Sequence, residues 1–376
     1  MNDLSWALSR RGLNGLRLFL YKFWAQGLLF VIPILYALSN IEVLGQFSGH
    51  NEVSIANISA WFASFCLPVG IVTLILIRLM LSVRAGESPV QNLSADIVEL
   101  STSPQRMMNG FPAIFSILLI YKYNIELKVQ IPKLHPFDWD PYFARLDRSI
   151  HFGFDPWVLL HPFLGFEFAT LICNDLYLLW FFVMFAAVLW FGFQEYSTPI
   201  RSQFFLAFGL LWWIGGGFLA LYFSSAGPAY YSAIGLPNDP YVGLMNYLKG
   251  VNEHTPVWSL MVQDRLWDGY TGKFGPVGIS SFPSMHNGTM FLIAIAFRKI
   301  SKLLSNLVFV FTFGVFLGSI HLGWHYAVDG YAAFALAAFF WWIAGYVARW
   351  FHNLPGQSRI DSELRALNSL TTKVSL

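Results

Sequence analysis

The stretch LLSNLVFVFTFGVFLGSIHLGWHYAVDGYAAFALAAFFWWIAGYVARW (Leu303–Trp350) consists of two long apolar runs joined by a short segment that contains two histidines. A helix needs about 20 mostly apolar residues to cross the hydrocarbon core of a bilayer, and each run is close to that length. We therefore predict two consecutive membrane spans, Leu303–His321 and Tyr326–Trp350. The stretch indicates an all-α, polytopic membrane fold.

The composition of the whole chain agrees with this fold class. Of the 376 residues, 56% are hydrophobic and only 12% are charged, whereas soluble globular proteins carry roughly 25% charged residues. The formal net charge of +2 is too small to indicate nucleic acid as a partner. Cys66 and Cys173 both lie in apolar runs, which argues against a disulfide framework.

Six further apolar runs extend the prediction to a bundle of about eight transmembrane helices. These runs are Phe23–Leu38, Ala60–Ile77, Met107–Tyr121, Leu176–Phe193, Phe204–Phe223 and Ser284–Phe297. With eight spans, the lysines and arginines that flank the spans fall on one side, which the positive-inside rule identifies as cytoplasmic. Both termini are then expected in the cytoplasm.

The predicted topology divides the chain into three regions. They are residues 1–106, with two transmembrane helices, residues 107–350, the membrane domain that carries the histidine motifs, and residues 351–376, a polar cytoplasmic tail. The spans that begin at Ser284 and Tyr326 both start on the extracytoplasmic (periplasmic or lumenal) side. Motifs that are distant in the sequence are therefore expected to converge at one membrane surface.

His325 and Asp329 are four residues apart at the start of the last span, so they share one face of a helix. A carboxylate in that position accepts a hydrogen bond from one ring nitrogen of the histidine. This bond selects the tautomer and leaves the other nitrogen free to act as a nucleophile. His321 lies one turn earlier and is either a polar cap of the preceding span or a further site residue.

A second histidine motif begins the sixth span, in the stretch GISSFPSMHNGTM (Gly278–Met290). Ser284 is a good helix N-cap, which places His286 in the first helical turn. The free N–H groups and the positive end of the helix dipole at this point attract anions, phosphate above all. His286 is suitably placed to protonate a leaving oxygen. Together the two motifs predict a phosphoryl-transfer site that needs no metal and no cofactor.

FPSMH (Phe282–His286) and HYAVD (His325–Asp329) resemble the second and third motifs of the type 2 phosphatidic acid phosphatase superfamily. That superfamily also includes vanadium haloperoxidases and lipid phosphotransferases. Its second motif is Pro-Ser-Gly-His, and Met285 replaces the glycine here. Its third motif begins with Ser-Arg, but Gly318 and Ser319 occupy those positions, so the phosphate-clamping arginine is missing. Its first motif, a lysine followed by Arg-Pro, is not found, because the chain has no Arg-Pro dipeptide.

These departures are similar to those of the inositol phosphorylceramide synthases, the aureobasidin-resistance protein-like inositolphosphotransferases. The segments FDWDPYFARLDRSIHFGFDPW (Phe137–Trp157) and SSAGPAYY (Ser224–Tyr231) also resemble that branch. The resemblance implies a six-helix phosphatase-like catalytic core. It implies that His325 forms a phosphohistidine, that Asp329 orients it, and that His286 is the general acid and base.

The resemblance also implies that Ser284 and nearby backbone amides hold the phosphoryl oxygens. Because the clamping cations are missing, other groups must balance the phosphate charge. We consider Arg148 and His321 as candidates, with Lys273 and Arg265 as weaker ones. For Arg148 the alternative is an ion pair with a neighbouring aspartate, either Asp147 or Asp155.

The function predicted from the sequence is a membrane-embedded lipid phosphotransferase that moves an inositol-phosphate-like head group between lipids. The alternative is a lipid phosphate phosphatase that hydrolyses a phosphomonoester or pyrophosphate. A more remote alternative is a metal-dependent membrane lipid oxidase, with His321, His325 and Asp329 as ligands; a transporter or scaffold without chemistry is another. The expected partners are a phospholipid or sphingolipid substrate and the bilayer, with no nucleic acid and no obligate protein partner inferred.

Overall fold

The computed structural model describes residues 26–45, 55–195, 197–273 and 277–354. These residues form helices and connecting segments, with no strand in the described ranges. The α-helices are α1 Gly27–Gly45, α2 Ile55–Trp61, α3 Leu67–Ala85, α4 Pro89–Thr102, α5 Pro104–Leu134, α6 Asp140–Ile150, α7 Pro156–Leu164, α8 Glu167–Gly192, α9 Pro199–Leu210, α10 Ala220–Tyr222, α11 Val242–His254, α12 Trp258–Tyr270, α13 Met285–Phe297, α14 Lys302–His321 and α15 Ala327–His352. Two π-helical segments, Phe62–Cys66 and Leu211–Leu219, and a 3₁₀ turn, Pro228–Tyr230, complete them.

Five helices of the described ranges are long and apolar enough to cross a membrane. They are Ala56–Ala85, Glu167–Gly192, Pro199–Tyr222, Lys302–His321 and Ala327–His352. The predicted all-α fold and its membrane character are thus confirmed. Two shorter apolar helices, Gly27–Asn40 and Met285–Phe297, coincide with the first and sixth predicted spans, and the count of eight spans stays a prediction.

Parts of three predictions lie outside the described residues. The basic N-terminal segment and the first residues of the span predicted from Phe23 precede residue 26, and most of the predicted tail follows residue 354. The division of the chain into three regions stays a prediction for the same reason.

The helices α5, α9, α13 and α14 each begin where a small polar residue caps the first turn. Thr198 accepts a hydrogen bond from the Arg201 amide at the start of α9, and a proline follows it. Ser301 caps α14 in the same way. Such side chains satisfy one of the N–H groups that a helix start leaves unpaired. These side chains therefore stabilise the first turns of α9 and α14.

The helix that contains the predicted span Met107–Tyr121 is longer than expected. It continues as α5 to Leu134 and so takes up part of the segment that was expected to be a loop. Lys122 does not end it, because its Nζ lies 2.5 Å from Glu126 Oε1, one turn further along the same helix. Paired charges at this spacing are compatible with a continuous helix.

A buried arginine joins four helices at one end of the bundle. Arg201 is fully buried, and its guanidinium donates to Gln26 Oε1 at 2.8 Å, to the Asn109 carbonyl at 2.8 Å and to the Phe191 carbonyl at 3.0 Å. Buried cations are tolerated where all their donors are paired. Arg201, which contributed to the topology prediction as a flanking charge, therefore holds the start of α9 against α1, α5 and α8.

The two helices that carry the histidine motifs pack against each other. α13 contacts both α14 and α15, and α9 and α8 close the bundle around them. The amide of Ser284, just before α13, donates to the Asp329 carbonyl in the first turn of α15 at 3.2 Å. The N-terminal ends of α13 and α15 consequently lie side by side at the same end of the bundle.

Candidate active site

His325 and Asp329 form a buried pair at the start of α15. His325 Nδ1 lies 3.3 Å from Asp329 Oδ2, and the two side chains are 5% and 0% exposed. The same carboxylate oxygen accepts a hydrogen bond from the Tyr326 amide at 3.0 Å, which fixes its position in the first helical turn. With Nδ1 directed at Asp329, Nε2 is the ring nitrogen of His325 left for chemistry.

Ser281 strengthens this pair from the loop before α13. Its hydroxyl donates a short hydrogen bond to Asp329 Oδ2 and lies 3.3 Å from His325 Nδ1. Its own amide donates to the Ser225 carbonyl at 2.9 Å, so the loop is tied to the segment after α10. We did not single out Ser281 from the sequence, although it lies within the SSFPS stretch.

His286 approaches His325 from the first turn of α13. The two imidazole ring centroids are 5.7 Å apart. The His286 ring stacks on Tyr177 at 4.6 Å and meets the edge of Trp180 at 4.3 Å, both on α8. These aromatic contacts hold the imidazole in one orientation beside its partner histidine.

A cavity of about 80 Å³ lies against both histidines. Its lining includes His286, His325, Pro283, Met285 and, from α5, Lys128. Lys128 is half-buried and makes no hydrogen bond or ion pair with any residue that the structure describes. An unpaired ammonium group beside two imidazoles is suited to an anion.

Lys128 is a cavity-lining cation that the sequence analysis missed. Lys128 precedes the dipeptide His135-Pro136. This arrangement resembles the first motif of the superfamily, a lysine followed by Arg-Pro, with histidine in place of the arginine. A search for an Arg-Pro dipeptide does not find Lys128. A search for a lysine that is followed by any basic residue and a proline would have found it.

The structure does not bring the other predicted cations to this cavity. Arg148 pairs with Asp155 through two contacts of 2.7 and 3.0 Å, the alternative considered above. His321 is fully buried, with Nε2 at 2.9 Å from Thr170 Oγ1. Lys273 is exposed and lies 3.7 Å from Asp268. None of the three lines the cavity.

Ser284 is buried at the N-cap position of α13, as its sequence context predicts. Its Oγ accepts from the Asn287 amide at 3.4 Å and from the Asn287 side chain at 3.0 Å. Asn287 also donates to Ser319 Oγ at 3.2 Å, at a position where the family motif has arginine. The hydroxyl of Ser284 is thus engaged in capping.

Two buried aspartates of α6, Asp140 and Asp147, accept hydrogen bonds from backbone amides of segments next to the site. Asp147 accepts hydrogen bonds from the amides of Ala327 at 2.8 Å and Val328 at 2.9 Å, the first two residues of α15. A carboxylate there pairs N–H groups that the helix leaves free and interacts favourably with the helix dipole. Asp147 therefore positions the turn that carries Asp329.

Asp140 anchors the SSAGPAYY segment in the same manner. It accepts from the amides of Ala226 and Gly227, both at 2.8 Å, and from the Tyr326 hydroxyl at 2.7 Å. Gly227 has φ of +98°, and a Cβ there would lie 2.8 Å from the Trp324 carbonyl oxygen. Only glycine suits both the backbone conformation and the close approach.

Burial raises the pKa of Asp147 to about 7 and that of Asp140 to about 6, against opposing hydrogen bonds from backbone amides. Both carboxyls ordinarily titrate near 3.8. The folded chain therefore binds more protons than the unfolded chain between these limits. Consequently, the free energy of unfolding is expected to fall as the pH rises from about 4 to about 7.

Asp147→Asn is expected to reduce this pH dependence and to loosen the start of α15. The amide keeps one acceptor oxygen but turns an N–H donor toward a backbone N–H, which costs about 1–3 kcal/mol above pH 7. Thermal unfolding in detergent across this pH range measures both effects. Asp138→Asn, at an exposed position just before α6, is the matched control. Equal behaviour of the two variants would contradict the positioning role of Asp147.

The metal-dependent alternative requires His321, His325 and Asp329 to lie around one ion, and the described residues do not have this arrangement. In the ranges that the structure describes, no group of three or more His, Cys, Asp or Glu side chains could hold a metal ion. His321, which that alternative needs beside His325, is hydrogen-bonded to Thr170.

The fold is that of a helical membrane protein, and one cavity of it is lined by His286, His325 and Lys128. A family model described as PAP2 superfamily matches residues 141–343, more than half of the chain, and the chain belongs to this superfamily. The predicted superfamily is thereby confirmed, and the matched range contains both histidine motifs. Comparison with curated proteins and with solved structures gives no match.

Membership of the superfamily supports an enzyme that acts on phosphoesters, either a phosphatase or a phosphotransferase. The inositol phosphorylceramide synthase branch stays a prediction.

Proposed function

We propose that the chain is a membrane-embedded lipid phosphotransferase that moves an inositol-phosphate-like head group between lipids through a phosphohistidine. The observation that supports it best is that His286, from the first turn of α13, and His325, from the turn before α15, line one cavity with Lys128. Phosphoryl transfer needs a nucleophile, a proton donor for the leaving oxygen and positive charge around phosphorus. The three side chains supply these parts.

In the first half-reaction, His325 Nε2 attacks the phosphorus atom of the donor lipid. The bond between phosphorus and the leaving lipid oxygen breaks, and His286 donates a proton to that oxygen. The products are a neutral lipid alcohol and a phosphorylated His325. Asp329, which accepts a hydrogen bond from Nδ1, stabilises the positive charge that develops on the ring.

In the second half-reaction, the hydroxyl of an acceptor lipid attacks phosphorus. Its proton passes to the now neutral His286, the phosphorus–nitrogen bond breaks, and His325 regains its starting state. If the donor is a lipid phosphomonoester or pyrophosphate and water takes the place of the acceptor, the same steps constitute the phosphatase alternative. The donor ester and the acceptor together separate the two functions.

Lys128 and the N-terminus of α13 balance the phosphate charge in this proposal. Lys128 faces the cavity from α5, and the first amides of α13 lie beside His286. Free amides at a helix start bind phosphate readily. The lysine and the helix end thus take over from the arginine that Ser319 replaces. In the proposed topology the cavity opens on the extracytoplasmic side, with both termini in the cytoplasm.

Lys128→Gln is expected to lower kcat/KM by about 10- to 100-fold, since a hydrogen bond to a charged group is worth about 1.5–3 kcal/mol. Lys128→Arg should recover part of this loss. Lys133→Gln, an exposed lysine of the same helix, is the control and should behave like the parent. Steady-state kinetics on purified protein give the comparison. Parental activity of Lys128→Gln would remove the lysine from the site.

The acceptor is identified by product analysis. Purified protein is given phospholipids with and without an inositol head group, each in the presence and absence of ceramide. A new phosphoinositol lipid that requires ceramide would support the transferase. Release of a water-soluble phosphate product alone would instead support the phosphatase, and no turnover of any phosphoester would contradict both.

A further inference from the structure

A second cavity, of about 180 Å³, adjoins the histidine cavity on the side of α8. We name it the aromatic groove. Its walls come from α8, which contributes Tyr177 and Leu178, and from α12, which contributes Trp258 and Val262. Because His286 and Trp324 also line the histidine cavity, the two cavities meet at the proposed general acid.

The aromatic groove opens on an apolar surface. Leu178 is 46% exposed, Trp258 is 50% exposed and Val262 is 37% exposed, all on its walls. Leu178 lies within a helix long and apolar enough to cross a membrane. A hydrocarbon chain in the bilayer can therefore reach the groove without passing through water.

Two buried polar groups in the groove have no hydrogen-bond partner among the residues that the structure describes. The Tyr177 hydroxyl and the Trp324 indole N–H are both without a hydrogen bond, and Tyr177 is only 5% exposed. Their rings are stacked at 5.6 Å, and Tyr177 also stacks on His286. Buried donors usually find an acceptor, so these two indicate a ligand oxygen next to the reacting group.

We propose that the aromatic groove binds the apolar part of the lipid alcohol that leaves on protonation by His286. In this arrangement, Tyr177 Oη and Trp324 Nε1 donate to an oxygen close to the phosphoester, and the hydrocarbon chain runs between α8 and α12. The proposal rests on the proposed function and adds a chain-binding subsite to it. It accounts for the position of His286 between the histidine cavity and the aromatic groove.

Leu178→Trp tests the groove by filling it. The matched control is Leu179→Trp on the same helix, which is 42% exposed and does not line the groove. The probes are long-chain and dibutyryl phosphatidylinositol, which share the head group. Displacing two methylenes costs about 1.6 kcal/mol, so the ratio of kcat/KM values, long-chain to short-chain, should fall about tenfold in Leu178→Trp. Leu179→Trp should keep the parental ratio.

An equilibrium measurement separates failure of the groove from failure of the proposed function. Native mass spectrometry of His325→Ala reports binding of long-chain phosphatidylinositol without turnover. Adding Leu178→Trp should weaken this binding about tenfold, and adding Leu179→Trp should not. Equal binding by the two double variants, or no binding by His325→Ala, would overturn the groove. Selective binding by a parent protein that turns over no phosphoester would overturn the function alone.

Tyr177→Phe tests the polar end of the groove. The substitution keeps the ring that stacks on His286 and removes only the hydroxyl. Loss of one hydrogen bond should weaken binding of the same lipid about fivefold in the His325→Ala background. Unchanged binding would show that the hydroxyl does not contact the lipid.

Discussion

Replacing His325 with alanine is expected to lower kcat/KM by about 10⁴-fold or more, the largest effect of any single substitution in the chain. Removing the nucleophile of a covalent mechanism eliminates the intermediate, and the remaining site provides only binding and charge. Asp329 and Ser281 contact the His325 ring at Nδ1, away from the Nε2 atom that attacks phosphorus. The measurement is steady-state turnover of a long-chain inositol phospholipid by purified protein.

The control for this loss is a histidine outside the cavity. His254 is exposed at the end of α11, so His254→Ala should retain parental activity. A melting temperature of His325→Ala close to that of the parent would show that the bundle is intact. Activity of His325→Ala within about tenfold of the parent would contradict the assignment of the nucleophile.

The second large effect is expected at His286, and its size should depend on the leaving group. His286→Phe keeps an aromatic ring between Tyr177 and Trp180 but has no proton to give. General acid catalysis is worth about 10²–10⁴-fold, so turnover of an alkyl phosphoester should fall by that amount. The aryloxide of an activated aryl phosphoester leaves without protonation, so turnover of the aryl ester should fall far less.

Comparison of the two substrates distinguishes an acid from a structural residue. If His286→Phe slows the alkyl and the aryl ester equally, His286 acts by shaping the cavity and not as a proton donor. His254→Phe, at an exposed position that does not line the cavity, provides the control.

The parts of the site that the sequence predicts are the local ones. The spacing of His325 and Asp329 predicts that they meet, and the structure has them 3.3 Å apart, although His325 precedes α15 and is not part of a helical face. Ser284 signals the start of α13, which puts His286 in the first turn. Each inference needs only the geometry of a single helix turn, which a short stretch of sequence contains.

The parts that were missed depend on contacts between distant segments. Lys128 reaches the cavity because α5 continues beyond the predicted span, and nothing near it in the sequence shows that its ammonium group is unpaired. Asp147 caps a helix that begins 180 positions later in the chain. Such pairings are properties of the packed bundle, so the pattern of Phe137–Trp157 indicated a signature segment without its physical role.

Arg148 was predicted as a cavity residue, but the structure places it elsewhere. A cation was needed near the phosphate, and Arg148 lay in a segment that resembles the family branch. The structure pairs it with Asp155, and this ion pair raises the pKa of the guanidinium further above its usual range. Arg148 and Asp155 are seven positions apart in the sequence. Their charges are compatible with an ion pair and also with an arginine that faces the phosphate, so the sequence did not distinguish the two.

The central claim is that His325 carries the transferred group, and trapping the intermediate tests it most directly. Purified protein is mixed with a phospholipid that is radiolabelled at phosphorus, quenched in alkali within one turnover, and digested to peptides. We predict an alkali-stable, acid-labile label on the peptide that contains His325, absent in His325→Ala and still formed by His286→Phe with the aryl ester. Rapid turnover of the lipid with no label on the protein, or a label that persists in His325→Ala, would contradict it.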